Sequence, residues 1–190
     1  MKETKLNAKK RPESGSQAAR MYRREGLVPG VLYGKELNVP FLVFINDLKN
    51  IVYTPDTFLI DLNLEGESYR TVIQDIQYDP LSNEVIHLDF FKIPEDKPIK
   101  IELPIDYLGV AEGVKKGGRL VKKIRRMRVK GVANDLPARV NVNVEQLTLG
   151  QSMKVKNLPE MPFEILNAPN IPLVTVEIPR AMRGKQTAKA

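Results

Sequence analysis

The only histidine in 190 residues, His87, stands two positions before Asp89 in the stretch VIHLDFFKI. In an extended strand, residues two apart share a face. His87, Asp89 and Phe91 therefore lie together, opposite Ile86, Leu88 and Phe90. An imidazole beside a carboxylate has three uses. It can be ordinary solvated strand surface. It can move protons in a hydrolase, which also needs a nucleophile and an oxyanion hole. Or it can read a base or ribose, because both groups are compact hydrogen-bonding partners.

Other chemistry is poorly supplied. There is no cysteine, hence no thiolate, disulfide or Cys-type zinc site. One histidine falls short of the two or three that catalytic zinc usually takes. Gly-x-Ser-x-Gly, Gly-x-Gly-x-x-Gly and Walker A patterns are absent; GQSMK and GKQT only approach the first and last. The expectation is no catalytic centre, no metal and no cofactor.

Cations are abundant and unevenly placed. The net charge is +7. Residues 1–35 hold nine Lys or Arg against Glu3, Glu13 and Glu25, whereas residues 36–94 hold three against ten acids. Such concentration favours an anionic partner. In SQAARMYRRE, helical spacing puts Gln17, Arg20 and Arg24 on one face with Arg23 beside Arg20. Lys9, Lys10 and Arg11 lie just upstream. A solvated helix with cations at its C-terminus is the plain alternative, but arginine is also the side chain that grips phosphate with two parallel bonds. A second run, KKGGRLVKKIRRMRVK (115–130), holds nine cations and no acid. Strand parity groups Arg126, Arg128 and Lys130 opposite Met127 and Val129. Like charges on one strand face repel, and a polyanionic partner would relieve that.

The elements that must position these groups are mostly strands. The helix 16–25 has a serine N-cap candidate in front and Gly26 behind, where a left-handed residue belongs. VPGVLYG reads as a turn and strand that carry Tyr33 back toward the arginines, and VPFLVFI (39–45) as a strand. Asn46 is a candidate cap for a short second helix, DLKNIVY. TFLIDLNL and SYRTVIQDIQYD read as a hairpin about an EGE turn. Ile73, Asp75 and Gln77 share a parity that mixes apolar and polar, which a bulge near Gln74 would repair; Gln74 and Gln77 are amides able to read a base edge or to sit exposed. DPLSNE is a turn and residues 85–93 the last strand of this part. PEDKP (94–98) has the makeup of a linker. Beyond it come IKIELPIDYLG, a Gly-Lys loop GVKKGGRLVKK, the basic strand IRRMRVKGVA, the alternating RVNVNVEQL with Val140, Val142 and Val144 on one face, and LVTVEIP. The expected division is 1–94, 95–179 and a mobile basic tail 180–190. No run of apolar residues is long enough for a membrane helix, and no apolar segment follows the basic start as in a secretory signal, so a cytoplasmic protein without a membrane partner is expected.

NAKKR, RREGLVPGVLYG, QDIQYDP and HLDF, in that order, closely resemble the twenty-fifth large-subunit ribosomal protein family of bacteria. The half after Pro98, with IELPIDYLGVAEGVKKGG, resembles the extra β domain of its longer form, which includes the general stress protein CTC. The resemblance implies a mainly β chain: a small N-terminal β-barrel with two short helices, then a second β-rich domain. It implies a ribosome-associated structural protein whose first helix approaches the widened minor groove of an irregular loop, loop E, of 5S rRNA. By position, Arg11, Arg20, Arg23, Tyr33, Gln74, His87 and Asp89 should contact RNA, with Lys10 and Arg24 as added neighbours. Ser16, Ala19 and Met21 depart from relatives that carry Lys, Ser and Arg there. Two other readings stand beside this one: a stress-induced RNA-binding protein acting off the ribosome, and a hydrolase using His87 and Asp89.

Overall fold

The computed structural model describes residues 1–35, 37–94 and 97–179. Two compact units emerge: Met1–Ile101 with Gly131–Ala138, and Glu102–Lys130 with Arg139–Ala190. The basic tail 180–190 lies outside the described residues. The sequence places one boundary near Pro94, yet the chain returns to the first unit at 131–138. The reason is burial and bonding. Ala133 and Leu136 are buried, the Met1 ammonium donates to Leu136 O at 3.0 Å, and the Thr57 N–H donates to Ala138 O.

The first unit is built from β1 (Lys2–Lys10), α1 (Ser16–Arg24), β2 (Leu27–Gly34), β3 (Leu37–Phe44), α2 (Ile45–Val52), β4 (Phe58–Leu64), β5 (Glu67–Tyr78) and β6 (Val85–Lys92). Its strands close a barrel in the order β1-β3-β2-β6-β5-β4. Closure gives every strand two neighbours, and it needs two parallel pairings, β1 with β4 and β2 with β6. Alternate residues point inward: Leu6 and Ala8 from β1, Leu32 from β2, Phe41 and Val43 from β3, Ile60, Leu62 and Leu64 from β4, and Leu88 and Phe90 from β6. Leu48, Ile51 and Val52 of α2 join this core.

Several local expectations are corrected. VPG does not turn the chain; Pro29 and Gly30 lie inside β2, opposite Leu42 and Phe41. Pairing with β6 starts only at Gly30, so Pro29 has a single neighbour strand, where a missing N–H is tolerated. Gly30 is required by packing: an added Cβ would stand 2.6 Å from Phe41 Cζ and 2.8 Å from Leu88 O. No serine caps α1; Gly15, at φ 115°, holds the N-cap position. Asn46 is inside α2, whose N-cap is Phe44 in extended conformation. That end is instead tied by the Ile45 N–H, which donates to Gly26 O at 3.0 Å. Gly26 does end α1 in the left-handed region, at φ 76°, as the sequence predicts.

In the second part of the chain, β7 (Ile99–Leu108), β9 (Arg126–Gly131), β10 (Val140–Asn143) and β12 (Glu164–Ile165) form a sheet in the order β10-β7-β9-β12. A three-stranded sheet has the order β11-β13-β8, from β8 (Arg119–Lys122), β11 (Ser152–Lys154) and β13 (Pro172–Glu177). The stretch expected as a Gly-Lys loop thus holds a short helix, α3 (Glu112–Lys115), and β8. β8 forms because β13 offers a pairing edge from Val174 to Glu177. Val140, Val142 and Val144 are buried, as their alternation predicts, together with Met127 and Val129. Tyr107 is fixed by its hydroxyl, 2.7 Å from Ile124 O and 3.0 Å from Leu173 O. The chain is mainly β, a barrel with two short helices followed by a second β-rich part.

Candidate nucleic-acid interface

Three adjacent barrel strands, β2, β6 and β5, set out the polar groups singled out by the sequence. Val31 pairs with Asp89 and Tyr33 with Phe91 across β2 and β6. Asp75 pairs with Asp89 and Gln77 with His87 across β5 and β6. The register slips between Ile73 and Asp75, so Gln74 is the extra residue of a bulge. That slip lets Ile73 and Ile76 both pack on the core while Asp75 and Gln77 stay exposed. An unbroken alternation could not do this.

His87 Nδ1 lies 2.9 Å from Asp89 Oδ1. The distance is that of an ion pair, but the atom is buried and makes no aligned hydrogen bond; proximity, not hydrogen-bond direction, relates the two groups. Tyr33 packs edge to face on Phe91, centroids 5.7 Å apart. Partial burial, then the negative charges of Asp89 and Asp75, push its hydroxyl above the ordinary tyrosine value. Tyr33 is thus a neutral donor at physiological pH, in the field of two carboxylates. Asp75 is a member of this surface that sequence reasoning passed over. Its signal was present: once a bulge is placed at Gln74, parity carries Asp75 to the face of Asp89.

α1 is joined to this surface by Arg23, whose Nε donates to Ile86 O at 3.0 Å. Ile86 immediately precedes His87, so this one side-chain bond ties the basic helix, which packs against β2, to the strand that carries the polar pair. Tyr22 is the buried residue of α1, with Ala18 half-buried one turn before it; Arg20, Arg24 and Met21 are exposed. The remaining sequence candidates, Arg11 and Lys10, make contacts within the protein. Arg11 braces the loop before α1, donating to Glu13 O at 2.7 Å and Gly15 O at 3.1 Å, with its guanidinium 5.8 Å from the Tyr22 ring. Lys10 extends toward Glu65 in the β4–β5 turn, at 3.7 Å.

Arg126, Arg128 and Lys130 do share one face of β9, with Met127 and Val129 buried behind them. Two of the three have carboxylate neighbours: Arg128 lies 3.0 Å from Glu102, and Lys130 lies 2.9 Å from Glu164 on β12. Cross-strand acids therefore already relieve much of the repulsion inferred from the acid-free run. Among the described residues no cluster of three or more His, Cys, Asp or Glu could hold a metal ion, and no helix is long and apolar enough to cross a membrane.

Residues 6–90 match the Ribosomal L25p family, and residues 98–180 match the family described as Ribosomal protein TL5, C-terminal domain. Relatives extend over essentially the whole chain. A "Large ribosomal subunit protein bL25" of Azobacteroides pseudotrichonymphae is 40% identical over 97% of this chain and 98% of its own length. One from Porphyromonas gingivalis is 36% identical over the full length of both. One from Bacteroides fragilis is 38% identical over 99% of this chain and 96% of its own. With two consecutive domain matches and relatives aligned from end to end, the chain belongs to the ribosomal L25p family, in its long bacterial form with the second β domain.

Proposed function

We propose that this chain is a structural constituent of the large ribosomal subunit and binds 5S rRNA through α1 and the outer face of β2, β6 and β5. The observation that carries the reading is the convergence of an arginine-bearing helix, held on β6 by Arg23, with Tyr33, Gln74, His87 and Asp89 on neighbouring strands. Each part has a distinct task. Arg20, Arg23 and Arg24 neutralise phosphates and fix register, which carries little sequence information. Tyr33 offers a ring for stacking and a hydroxyl that donates. Gln74, His87 and Asp89 supply donors and acceptors for base edges or 2′-hydroxyls. Such a surface suits the widened minor groove of an irregular RNA helix, such as loop E, because a regular A-form major groove is too narrow for side chains. On this reading the protein works on the ribosome in the cytoplasm, performs no reaction and needs no cofactor. The second basic surface, at Arg126, Arg128 and Lys130, adds a contact with the assembled subunit.

The test is binding of the full chain to 5S rRNA with transfer RNA as competitor, across a salt series. The 5S complex should resist the competitor. If about four phosphates are neutralised, the log-log salt slope is about −3 to −4. Equal affinity for the two RNAs, or an affinity that ignores salt, overturns the proposal.

A further inference from the structure

We infer that a cavity beside Tyr33 receives one unstacked nucleotide of the bound RNA, its base against the aromatic wall and its phosphates among lysines. The inference rests on the RNA-binding reading above and specifies how one part of that surface works. The cavity has a volume of about 690 Å³, within the roughly 300–1,000 Å³ common for small-ligand sites. Its walls include Tyr33, Phe91 and Ile93. The edge-to-face contact of Tyr33 on Phe91 fixes the two rings against each other, so a base can stack with little further loss of side-chain freedom.

The polar groups around it match a nucleotide better than an apolar ligand. Gln74 lines the cavity, placed there by the bulge, and its amide offers both a donor and an acceptor to a base edge. Lys35, Lys92, Lys97 and Lys100 also line it. Lys92 is steered by the Tyr69 ring, 5.1 Å from its ammonium. An apolar wall, one amide and several ammonium groups are the three contacts that a base with its flanking phosphates requires. A free nucleotide has the same chemistry, so the two sources must be separated by experiment.

Two RNA duplexes serve as probes, one with a single bulged 2-aminopurine and one fully paired. The full-length protein should bind the bulged duplex roughly tenfold more tightly, the worth of one stacked base, and quench the 2-aminopurine fluorescence. The Lys35→Ala, Lys97→Ala, Lys100→Ala variant should lose that preference with an unchanged circular dichroism spectrum. Equal binding of the two duplexes by the parent protein, or a preference that survives in the variant, overturns the inference. If 5S rRNA binding persists in that case, the RNA-binding reading stands without the cavity; if it is lost too, both fall. Adenosine triphosphate is the third probe, followed by tyrosine fluorescence, which no tryptophan obscures. Saturable quenching that the variant loses, without any preference for the bulge, assigns the cavity to a free nucleotide and overturns the RNA source.

Discussion

Arg23 and Ile86, 63 positions apart, are joined by a 3.0 Å hydrogen bond from the guanidinium Nε to the main-chain oxygen. This bond ties the basic helix, whose Tyr22 is buried beneath it, to the strand residue before His87. Arg23→Ala removes both the tether and a cation of the flank proposed to face RNA. Affinity for 5S rRNA should fall by about 1–3 kcal/mol, the range of a charge-assisted contact. The thermal midpoint should move little, because the bond is exposed. A large drop in melting temperature with unchanged RNA affinity would make Arg23 a purely structural residue.

Gly30→Ala should be among the most damaging small substitutions in the barrel. The new methyl would meet both Phe41 Cζ and Leu88 O inside normal contact distance. Phe41 is fully buried, and the carbonyl belongs to the strand next door, so neither can yield freely. The expected cost is about 1–3 kcal/mol or more, read as a lower urea midpoint. An unchanged midpoint would mean that the barrel opens between β2 and β6 at little cost.

Tyr107 should give the second part of the chain a stability that declines in alkali. Burial pushes its hydroxyl up to about 12 from an ordinary 10.0. The unfolded chain therefore loses this proton first, and unfolding becomes easier as pH rises from about 10 toward 12. Below pH 10 the contribution is complete. Tyr33 and Tyr69 are raised as well, so the informative quantity is the difference between proteins. Tyr107→Phe should be less stable by about 0.5–1.5 kcal/mol at neutral pH, for the lost hydrogen bond, and should show a shallower decline above pH 10. Parallel curves for the two proteins would show that Tyr107 ionises freely in the fold.

The three cations of β9 should not behave alike. Arg128 and Lys130 have carboxylate partners, and such exposed pairs contribute about 0–1 kcal/mol. Arg126, which makes no ion pair among the described residues, is the one best placed to meet an outside anion. Arg126→Glu should release the protein from large subunits at lower salt in washing experiments, while Arg128→Ala changes retention less. Equal retention of parent and both variants would identify the face as plain solvated surface.

Side-chain alternation carried much of this fold into view. Val140, Val142 and Val144 announced a buried strand face, and the broken parity at Gln74 announced a bulge. Alternation is weaker in β1, where only Leu6 and Ala8 are buried, between Lys5 and Lys9, and the lysines mask the strand pattern. What sequence could not supply was the environment of each element. Pro29 and Gly30 look like a turn until one sees that β2 lacks its second neighbour at one residue and is pressed by Phe41 at the next. The pairing of Lys130 with Glu164 depends on β12 lying beside β9, a contact across 34 positions. At the candidate interface, strand parity grouped His87 with Asp89, whereas the link from Arg23 to Ile86 required the barrel to be closed.

The return of residues 131–138 to the first unit has a consequence for biosynthesis. β6 completes the barrel at Lys92, but the segment holding Leu136 and Ala138 emerges about 45 residues later, a delay of roughly 2–9 s at ordinary elongation rates. During that interval the Met1 ammonium and the Thr57 N–H have no Leu136 or Ala138 carbonyl to meet. The barrel of the nascent chain is then a finished sheet with an unfinished seal, and a pause in translation after residue 92 would prolong that state. Synonymous codons between 93 and 138 thereby become a physical variable for this protein: slow ones should raise the yield of aggregated chains, although the amino-acid sequence is unchanged.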